Sequence, residues 1–390
     1  MLRFKNFSLV VAGALTAGFI TSCDPQKGEF VSAEVIQAVS DSLDCLFPAE
    51  KPGGAILIMQ HDSVLLAKGC GLADMETNTP VTPQTNFCLA SVSKQFTAIA
   101  VLQLCEQGKM SLDDEVRTFF PQFTDSIWNG ITVRHLLSHS SGLPDARSGY
   151  TRPQRIYGDD NRSVAFFDTL SYVNFQPGTA YEYINPTFVL AGKIVEIVSG
   201  EPFADYMRNH IFEPAGMTSS RYFEFTANEV SPDNITAEEE PIENMAHGYE
   251  PTDSGWVECD FGETTFFATR PDGGLYSSVL EMGKWEKALL NGVLLSDSLV
   301  QEAWTIQNKV SESRFSDYNT RPNTGYGYGW FIESAVENHC TVIYHTGENG
   351  GFHNIIAHYP EKDVTVVLLS TRADWSQYDF LKTIAGMMGL

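Results

Sequence analysis

The sequence places a serine and a lysine three residues apart in the tetrad Ser91-Val92-Ser93-Lys94, which runs into an apolar, helix-periodic stretch ending near Gly108. Residues three apart lie on one face of a helix, so the two side chains can touch. A serine hydroxyl becomes a strong nucleophile when a base takes its proton, and a lysine amine is such a base when burial or a nearby positive charge keeps it neutral. The pair is therefore a candidate nucleophile and base. The alternative is an N-capping serine beside a solvated lysine.

Two histidines four residues apart, His135 and His139, form a second candidate site. On a helix they would face the same way and could share a metal ion. The segment lacks the glutamate of the His-Glu-x-x-His zinc motif, and no acidic or cysteine partner stands at a suitable spacing. We therefore predict a structural role for both histidines and no metal site.

Residues 1–22 are typical of a targeting segment, because a basic start precedes an apolar run from Phe7 to Ile20 that is too short to span a membrane comfortably. The four residues ending in Cys23 resemble a bacterial lipobox. The prediction is an exported protein with a lipidated Cys23, anchored to a membrane of a bacterial cell envelope and facing the periplasm or the surface. An ordinary cleaved signal is the alternative. Residues 23–31 are expected to be a linker.

The chain is acidic, with 49 aspartate and glutamate against 25 lysine and arginine residues and a net charge of −24. Such a surface argues against nucleic acid as a partner and against charge-driven binding to anionic lipid. We expect membrane contact through the lipid anchor alone.

Six cysteines besides Cys23 are scattered without Cys-x-x-Cys spacing. Export would permit disulfides, and their pairing is left open. Their apolar, helix-like or strand-like surroundings predict that most are buried as small apolar residues. They are Cys45, Cys70, Cys88, Cys105, Cys259 and Cys340.

The order of predicted elements indicates an α/β fold of the α+β type. A helix over 32–47 and a β-hairpin over 54–67 come first, then a block of helices, then successive strands up to Leu369 and a closing helix. An antiparallel sheet flanked by the N- and C-terminal helices, with a mostly helical domain inserted, satisfies this order without long crossovers. We assign one catalytic unit, 32–390, with an α/β part (32–88 and 255–390) and a helical part (89–254).

Two further motifs follow the tetrad at long range, Tyr183-Ile184-Asn185 and His345-Thr346-Gly347. Alone, Tyr183 is typical of a half-buried aromatic residue and Asn185 of a turn residue. In this order the three motifs resemble the signature elements of the serine β-lactamase and penicillin-binding-protein-like family, closest to its class C, esterase and D-peptidase branch. Flanking runs agree with that branch: Thr79–Thr82, Leu112–Asp114, Arg134–Pro144, Pro177-Gly178 and Asp272–Leu275. The resemblance covers about residues 50 to 370 and implies a β-lactamase/transpeptidase-like fold.

The resemblance implies a role for each motif residue. Ser91 would attack the substrate, Lys94 would take or relay its proton, and Tyr183 would shuttle the proton to the leaving group. Which of Lys94 and Tyr183 is the general base stays open. Asn185 would hydrogen-bond a substrate carbonyl or amide, and the backbone N–H groups of Ser91 and Glu348 would form the oxyanion hole. The remaining substrate-binding positions lie on the facing strand: His345, Thr346 and Gly347.

Two positions depart from the β-lactamase pattern. His345 stands where β-lactamases have lysine, and a histidine is only partly charged near neutral pH, so it holds a substrate carboxylate less firmly. Glu348 stands where small residues are common, and its charge would repel acidic substrates if it pointed inward. Both departures disfavour β-lactams and free-carboxylate D-Ala-D-Ala peptides as preferred substrates.

The leading hypothesis is a monomeric serine hydrolase that forms an acyl-enzyme on Ser91 with small esters, amides or D-amino-acid peptides, without a metal or organic cofactor. The alternatives are a D,D-carboxypeptidase or β-lactamase, and a non-hydrolytic module that binds peptidoglycan or β-lactams. Specificity is expected to lie in the loops at 142–162 and 223–270.

Overall fold

The computed structural model describes residues 30–145, 160–222, 242–259, 269–310, 312–313, 323–335 and 339–390. The predicted targeting segment, Cys23 and most of the two predicted specificity loops lie outside these residues. From Val31 to Leu390 the described chain forms one unit. None of its helices is long and apolar enough to cross a membrane.

An eight-stranded sheet lies at the centre of the unit, and every neighbouring pair in it is antiparallel. Its strands are β1 (Gly54–Gln60), β2 (Ser63–Cys70), β3 (Asn308–Lys309), β4 (Thr324–Tyr326), β5 (Phe331–Glu333), β6 (Val342–Asn349), β7 (Phe352–Tyr359) and β8 (Val364–Ser370). The order across the sheet is β3-β4-β5-β6-β7-β8-β1-β2. The first strand therefore pairs with the last, with Gly54 opposite Ser370.

Most of the helices lie between β2 and β3 in the chain, as the sequence predicted. The α-helices are α1 (Ala33–Leu46), α2 (Ser93–Glu106), α3 (Val133–Leu137), α4 (Asp160–Phe167), α5 (Pro186–Ser199), α6 (Phe203–Met207), α7 (Glu213–Ala215), α8 (Arg270–Gly273), α9 (Val279–Leu290), α10 (Asp297–Ala303) and α11 (Gln377–Met388). A π-helical turn at Arg208–Phe212 continues α6, and 3-10 turns lie at Ala90–Val92, Val116–Thr118 and Ser126–Trp128. Short strands outside the central sheet are Leu72–Asp74, Thr79–Pro80, Phe87–Cys88, Arg221–Tyr222, Tyr249–Thr252, Gly255–Glu258 and Leu275–Ser277.

The inner strands of the sheet are buried on both faces, and β1 shows how. Every residue of β1 is buried. Alternate side chains point to opposite faces: Leu57 joins the core formed with the inserted helices, whereas Ile56 and Ile58 join the core formed with the terminal helices α1 and α11. The two helical layers hold the sheet rigid between them, and the motif residues lie where the inserted layer meets it.

The six described cysteines are all free. Cys88 and Cys259 are buried, Cys70, Cys105 and Cys340 are partly buried, and Cys45 is exposed. Two of the six are buried, so the prediction that most are buried is wrong. Cys45 departs furthest from it, because α1 packs inward through Leu43 and a residue two positions further points to roughly the opposite side of a helix. Burial raises the pKa of the Cys70 thiol to about 12 and that of Cys105 to about 11.

A buried acid and a buried imidazole join α9 to the sheet. Glu286 Oε1 lies 3.2 Å from Nδ1 of His358, and the two side chains are 4% and 6% exposed. Burial raises the pKa of Glu286 to about 8 and lowers that of His358 to about 4. At neutral pH the contact therefore joins two uncharged groups and is not an ion pair.

The raised pKa of Glu286 predicts that the free energy of unfolding of the wild type falls between pH 6.5 and 8. This fall should be absent from Glu286→Gln. Over that range the folded chain keeps a proton on Glu286 that the unfolded chain has released, so the free energy of unfolding falls as pH rises, by about 2 kcal/mol. His358 acts in the opposite direction, but only below about pH 6.5, where the unfolded imidazole gains its proton. Urea unfolding at pH 6.5 and 8 measures the difference, with exposed Glu50→Gln as control. If the free energy of unfolding of Glu286→Gln fell by the same amount, Glu286 would not be the group responsible.

Candidate active site

Ser91 lies in a tight turn at the start of α2, a 14-residue helix that is almost entirely buried. The 3-10 turn Ala90–Val92 leads directly into α2, whose residues 93 to 104 are all buried, while Ser91 stays partly exposed. Ala90 has φ +49°, a left-handed conformation that costs a non-glycine residue about 1–3 kcal/mol. The neighbouring Leu89 N–H donates to the carbonyl of Leu275 at 2.7 Å, which fixes the base of the turn. The turn therefore presents one hydroxyl at the surface of a rigid core.

Lys94 is fully buried, and its side-chain nitrogen lies between three oxygens. Nζ lies 3.0 Å from Ser91 Oγ, 2.7 Å from Asn185 Oδ1 and 2.7 Å from the carbonyl oxygen of Asp272. The carbonyl and amide oxygens can only accept, so they take two of the nitrogen's hydrogens. The third position of Nζ is directed at the Ser91 hydroxyl, where a neutral amine has its lone pair.

Helix α2 also holds the segment before the strand 275–277 through two further side chains. Ser93 Oγ accepts from the Leu275 N–H at 3.2 Å, and Thr97 Oγ1 donates to the Pro271 carbonyl at 2.6 Å. Together with Lys94, these side chains bind three backbone groups between Pro271 and Leu275. The Asp272–Leu275 run that supported the resemblance thus lies beside the tetrad because the tetrad's own side chains bind it.

The second motif lies directly across from Lys94. The Lys94 Nζ is 5.1 Å from the centroid of the Tyr183 ring, and both Tyr183 and Asn185 are partly exposed. Pro186 begins α5, which places Asn185 at the helix N-cap position. Ser91, Lys94, Tyr183 and Asn185 therefore form one cluster, although the two motifs are far apart in the chain.

His139 holds the Tyr183 segment in place, a role that the sequence did not reveal. The backbone oxygen of His139 accepts from the Glu182 N–H at 3.0 Å, and its Nδ1 accepts from the Ile184 N–H at 3.2 Å. Its ring lies 4.2 Å from the Tyr183 ring. Burial, with Lys94 and His345 nearby, holds the pKa of His139 well below its usual range, so the imidazole is neutral.

The other histidine of the pair caps a helix. His135 Nδ1 accepts from the Thr132 N–H at 3.1 Å, closing a capping box at the start of α3. No group of three or more metal-ligating side chains occurs among the described residues. His135 and His139 each hydrogen-bond the backbone, in agreement with the predicted structural role.

The third motif lies on β6, with His345 buried. Its ring is 6.1 Å from the Tyr183 ring. Nδ1 lies 2.6 Å from the carbonyl oxygen of Thr346, and Nε2 lies 2.9 Å from the hydroxyl of Tyr326 on β4. Thr346 is buried opposite Ile355 of β7. The structure thus brings His345 to the cluster.

Gly347 allows β6 to touch the nucleophile turn. A Cβ placed on Gly347 would lie 2.1 Å from the carbonyl oxygen of Leu89 and 3.3 Å from Cβ of Ala90. Only a residue without a side chain fits this approach. The backbone of Glu348, the next residue, is thereby brought to the turn that carries the Ser91 N–H.

Glu348 itself has an exposed side chain whose carboxylate is bound elsewhere. Its Oε1 accepts from Gln377 Nε2 at 2.7 Å, at the start of α11. The carboxylate is therefore held towards the C-terminal helix. The inward-pointing charge considered from the sequence is not present.

Comparison with known proteins agrees with this geometry. Residues 44–386 match the Beta-lactamase family. The chain belongs to that family. Its members include penicillin-binding-protein-like serine hydrolases, and penicillin-binding protein 4* of Bacillus subtilis (strain 168) is 28% identical over 339 residues, or 84% of this chain and 69% of that protein.

Solved structures of other proteins have folds similar to that of this chain. The octameric penicillin-binding protein homologue from Pyrococcus abyssi has a TM-score of 0.73 and 28% identity, over 92% of this chain and 78% of that chain. The D-amino acid amidase from Ochrobactrum anthropi SV3 shares the fold, with a TM-score of 0.70 and 23% identity over 91% of this chain and 96% of that chain. The predicted β-lactamase/transpeptidase-like fold, an antiparallel sheet with helices, is therefore confirmed.

His139→Phe is expected to lower kcat/KM about tenfold or more. It should also lower the free energy of unfolding by about 1–3 kcal/mol, because the buried Ile184 N–H loses its acceptor. Phenylalanine keeps a ring against Tyr183 but cannot accept from the Ile184 N–H. His139 also has φ +55°, which asparagine tolerates, and asparagine offers an acceptor oxygen. His139→Asn is therefore the matched control and should retain most activity and stability. Equal losses in both variants would contradict this role.

Gly347→Ala is expected to remove most activity by pushing β6 away from the nucleophile turn. The colliding atom is backbone oxygen, which cannot rotate aside as a flexible side chain would. Displacements near 1 Å at a reaction site cost about 100-fold in rate. The matched control is Gly386→Ala on α11, where an added Cβ meets nothing within 4 Å. Kinetics and melting temperature of both variants test the contact, and a Gly347→Ala enzyme with ordinary activity would contradict it.

Proposed function

We propose that this serine hydrolase acts through an acyl-enzyme on Ser91, with small esters, amides or D-amino-acid peptides as substrates. The observation that carries the proposal is the position of Lys94 Nζ, 3.0 Å from Ser91 Oγ and bound on its other sides by Asn185 and Asp272. This arrangement suits a base that must take the proton of one particular hydroxyl.

In the first step, Ser91 Oγ bonds to the substrate carbonyl carbon while its proton passes to Lys94 or through Tyr183. The carbonyl oxygen gains negative charge, and the backbone N–H groups of Ser91 and Glu348 donate to it. The approach of β6 at Gly347 supports this pairing of amides, because it brings both donors to one turn.

In the second step, the bond to the leaving oxygen or nitrogen breaks and that atom receives the proton. The Tyr183 hydroxyl carries it, with the Lys94 cation near the ring to favour the tyrosine anion. Water then attacks the Ser91 ester, and the same groups return a proton to Ser91 as the acid leaves. Asn185 and the β6 segment 345–347 contact the acyl group throughout.

A substrate panel tests the proposal. We expect turnover of short-chain activated esters and D-amino-acid amides, and slow or no turnover of a penicillin and of a D-Ala-D-Ala peptide. Efficient release of terminal D-alanine, or rapid penicillin hydrolysis, would instead identify a D,D-carboxypeptidase or β-lactamase. Binding of peptidoglycan fragments or a penicillin without turnover of any substrate would identify a non-hydrolytic module.

The placement of the enzyme is also part of the proposal. The lipobox-like residues before Cys23 and the apolar run preceding them support export and a lipid anchor. The strongly acidic composition supports a small-molecule or peptide substrate rather than nucleic acid. We propose that the enzyme works as a monomer and without a metal or organic cofactor.

A further inference from the structure

We infer that Tyr326 sets the substrate class of this site: by binding His345, it makes the enzyme select acyl donors that carry no carboxylate beside the scissile bond. The inference rests on the proposed function, since it concerns which substrates reach Ser91. The contact responsible is the hydrogen bond between the Tyr326 hydroxyl and His345 Nε2.

Both ring nitrogens of His345 are committed within the protein. Nδ1 lies 2.6 Å from the Thr346 carbonyl oxygen, which can only accept, so Nδ1 carries a hydrogen. Nε2 lies 2.9 Å from the Tyr326 hydroxyl. In the neutral ring Nε2 accepts from Tyr326, and in the cation it donates to Tyr326. In either protonation state, a substrate carboxylate must displace the tyrosine to bind this histidine.

Tyr326 cannot turn away easily, because its ring is packed on several sides. It is completely buried and stands opposite Phe331 in the register of β4 and β5. Its ring lies edge-on to that of Phe331 at 4.8 Å and within 4.9 Å of that of His139. Displacing the hydroxyl would therefore disturb a close-packed cluster.

Among the described residues, the charged and titratable groups around His345 are already bonded within the protein or held neutral. Lys94 donates to Asn185 and Asp272 and contacts Ser91. His139 is kept neutral by burial, as described above. Tyr183 is a further titratable neighbour, 6.1 Å from His345 between ring centroids, and its anion would repel a carboxylate. A neutral ester or amide group can bind without displacing the Tyr326 hydroxyl from His345. The cluster therefore favours uncharged groups at this position.

The test compares two substrates that differ only in the leaving group, one ending in a carboxylate and the other in its methyl ester. In the wild type we expect kcat/KM to favour the uncharged substrate. Tyr326→Phe removes the Tyr326 hydroxyl from Nε2. The ratio of charged to uncharged kcat/KM should then rise about tenfold or more at pH 6, the scale of one hydrogen bond to a charged group. Tyr328→Phe is the matched control, because that buried hydroxyl binds Arg134 instead.

An unchanged ratio in Tyr326→Phe would overturn the inference, as would a wild type that prefers the carboxylate. If the wild type turned over neither substrate, that result would instead count against the proposed function itself. Nitrogen-15 NMR of the wild-type histidines gives a reading that does not depend on the variant folding, with the His345 signal assigned from its loss in His345→Gln. We expect protonated Nδ1 and an acceptor Nε2 at pH 8, and the opposite tautomer would overturn the inference.

Discussion

Ser91→Ala is expected to lower kcat for esters and amides by roughly 10⁴-fold or more, because removal of the nucleophile leaves only binding and oxyanion stabilisation. The substitution removes one partly exposed oxygen, so the fold should persist and the melting temperature should change little. The measurement is steady-state turnover per folded molecule, with substrate affinity determined separately.

The control for this variant is Ser126→Ala, which changes the first residue of another 3-10 turn. It should keep wild-type kinetics. Residual turnover in Ser91→Ala within tenfold of the wild type would mean that another group attacks the substrate, and the mechanism above would have to be abandoned.

Lys94→Met is expected to lower the rate of Ser91 acylation by roughly 10³-fold, within the range that general bases contribute. Methionine keeps an unbranched side chain of similar length but cannot accept the serine proton. It also leaves the buried acceptors on Asn185 and Asp272 without Lys94, so stability should fall as well. Burst kinetics with an activated ester, corrected for the folded fraction, isolate the chemical effect.

Lys193→Met on α5 is the matched control for Lys94→Met. Its ammonium pairs with Glu196 on the helix surface rather than with any motif residue, so acylation should be unaffected. Normal acylation in Lys94→Met would contradict the role of Lys94 and leave Tyr183 as the base.

The parts of the fold that sequence reasoning predicted have strong local signals. Helix α2 is apolar nearly all round, and the hairpin of β1 and β2 has a polar turn between two apolar runs, so each could be placed without knowing its neighbours. The two edge strands β3 and β4 have two and three residues. Segments so short carry no usable periodicity, because they form only when the adjacent strand is already present.

The parts of the site that sequence reasoning missed depend on contacts across the fold. Tyr326 binds His345 across the intervening strand β5, and His139 binds the backbone on both sides of Tyr183. Neither residue has a local pattern that indicates a partner. The direction of Glu348 depended on Gln377 at the start of α11, a contact that no spacing in the sequence predicts. The positions of Ser91 and Lys94 were predictable because their spacing on one helix already brings them together.

The most direct test of the account is the intact mass of the protein after brief exposure to a short-chain activated ester and, separately, to a penicillin. We predict a transient mass increase equal to one acyl group on the wild type with the ester, mapped to the peptide containing Ser91 and absent from Ser91→Ala, with no lasting penicillin adduct. A stable penicillin adduct on Ser91 would contradict the proposed substrate class. An acyl adduct that persists in Ser91→Ala, or no adduct and no turnover with either compound, would contradict the central claim that Ser91 is the acylated nucleophile.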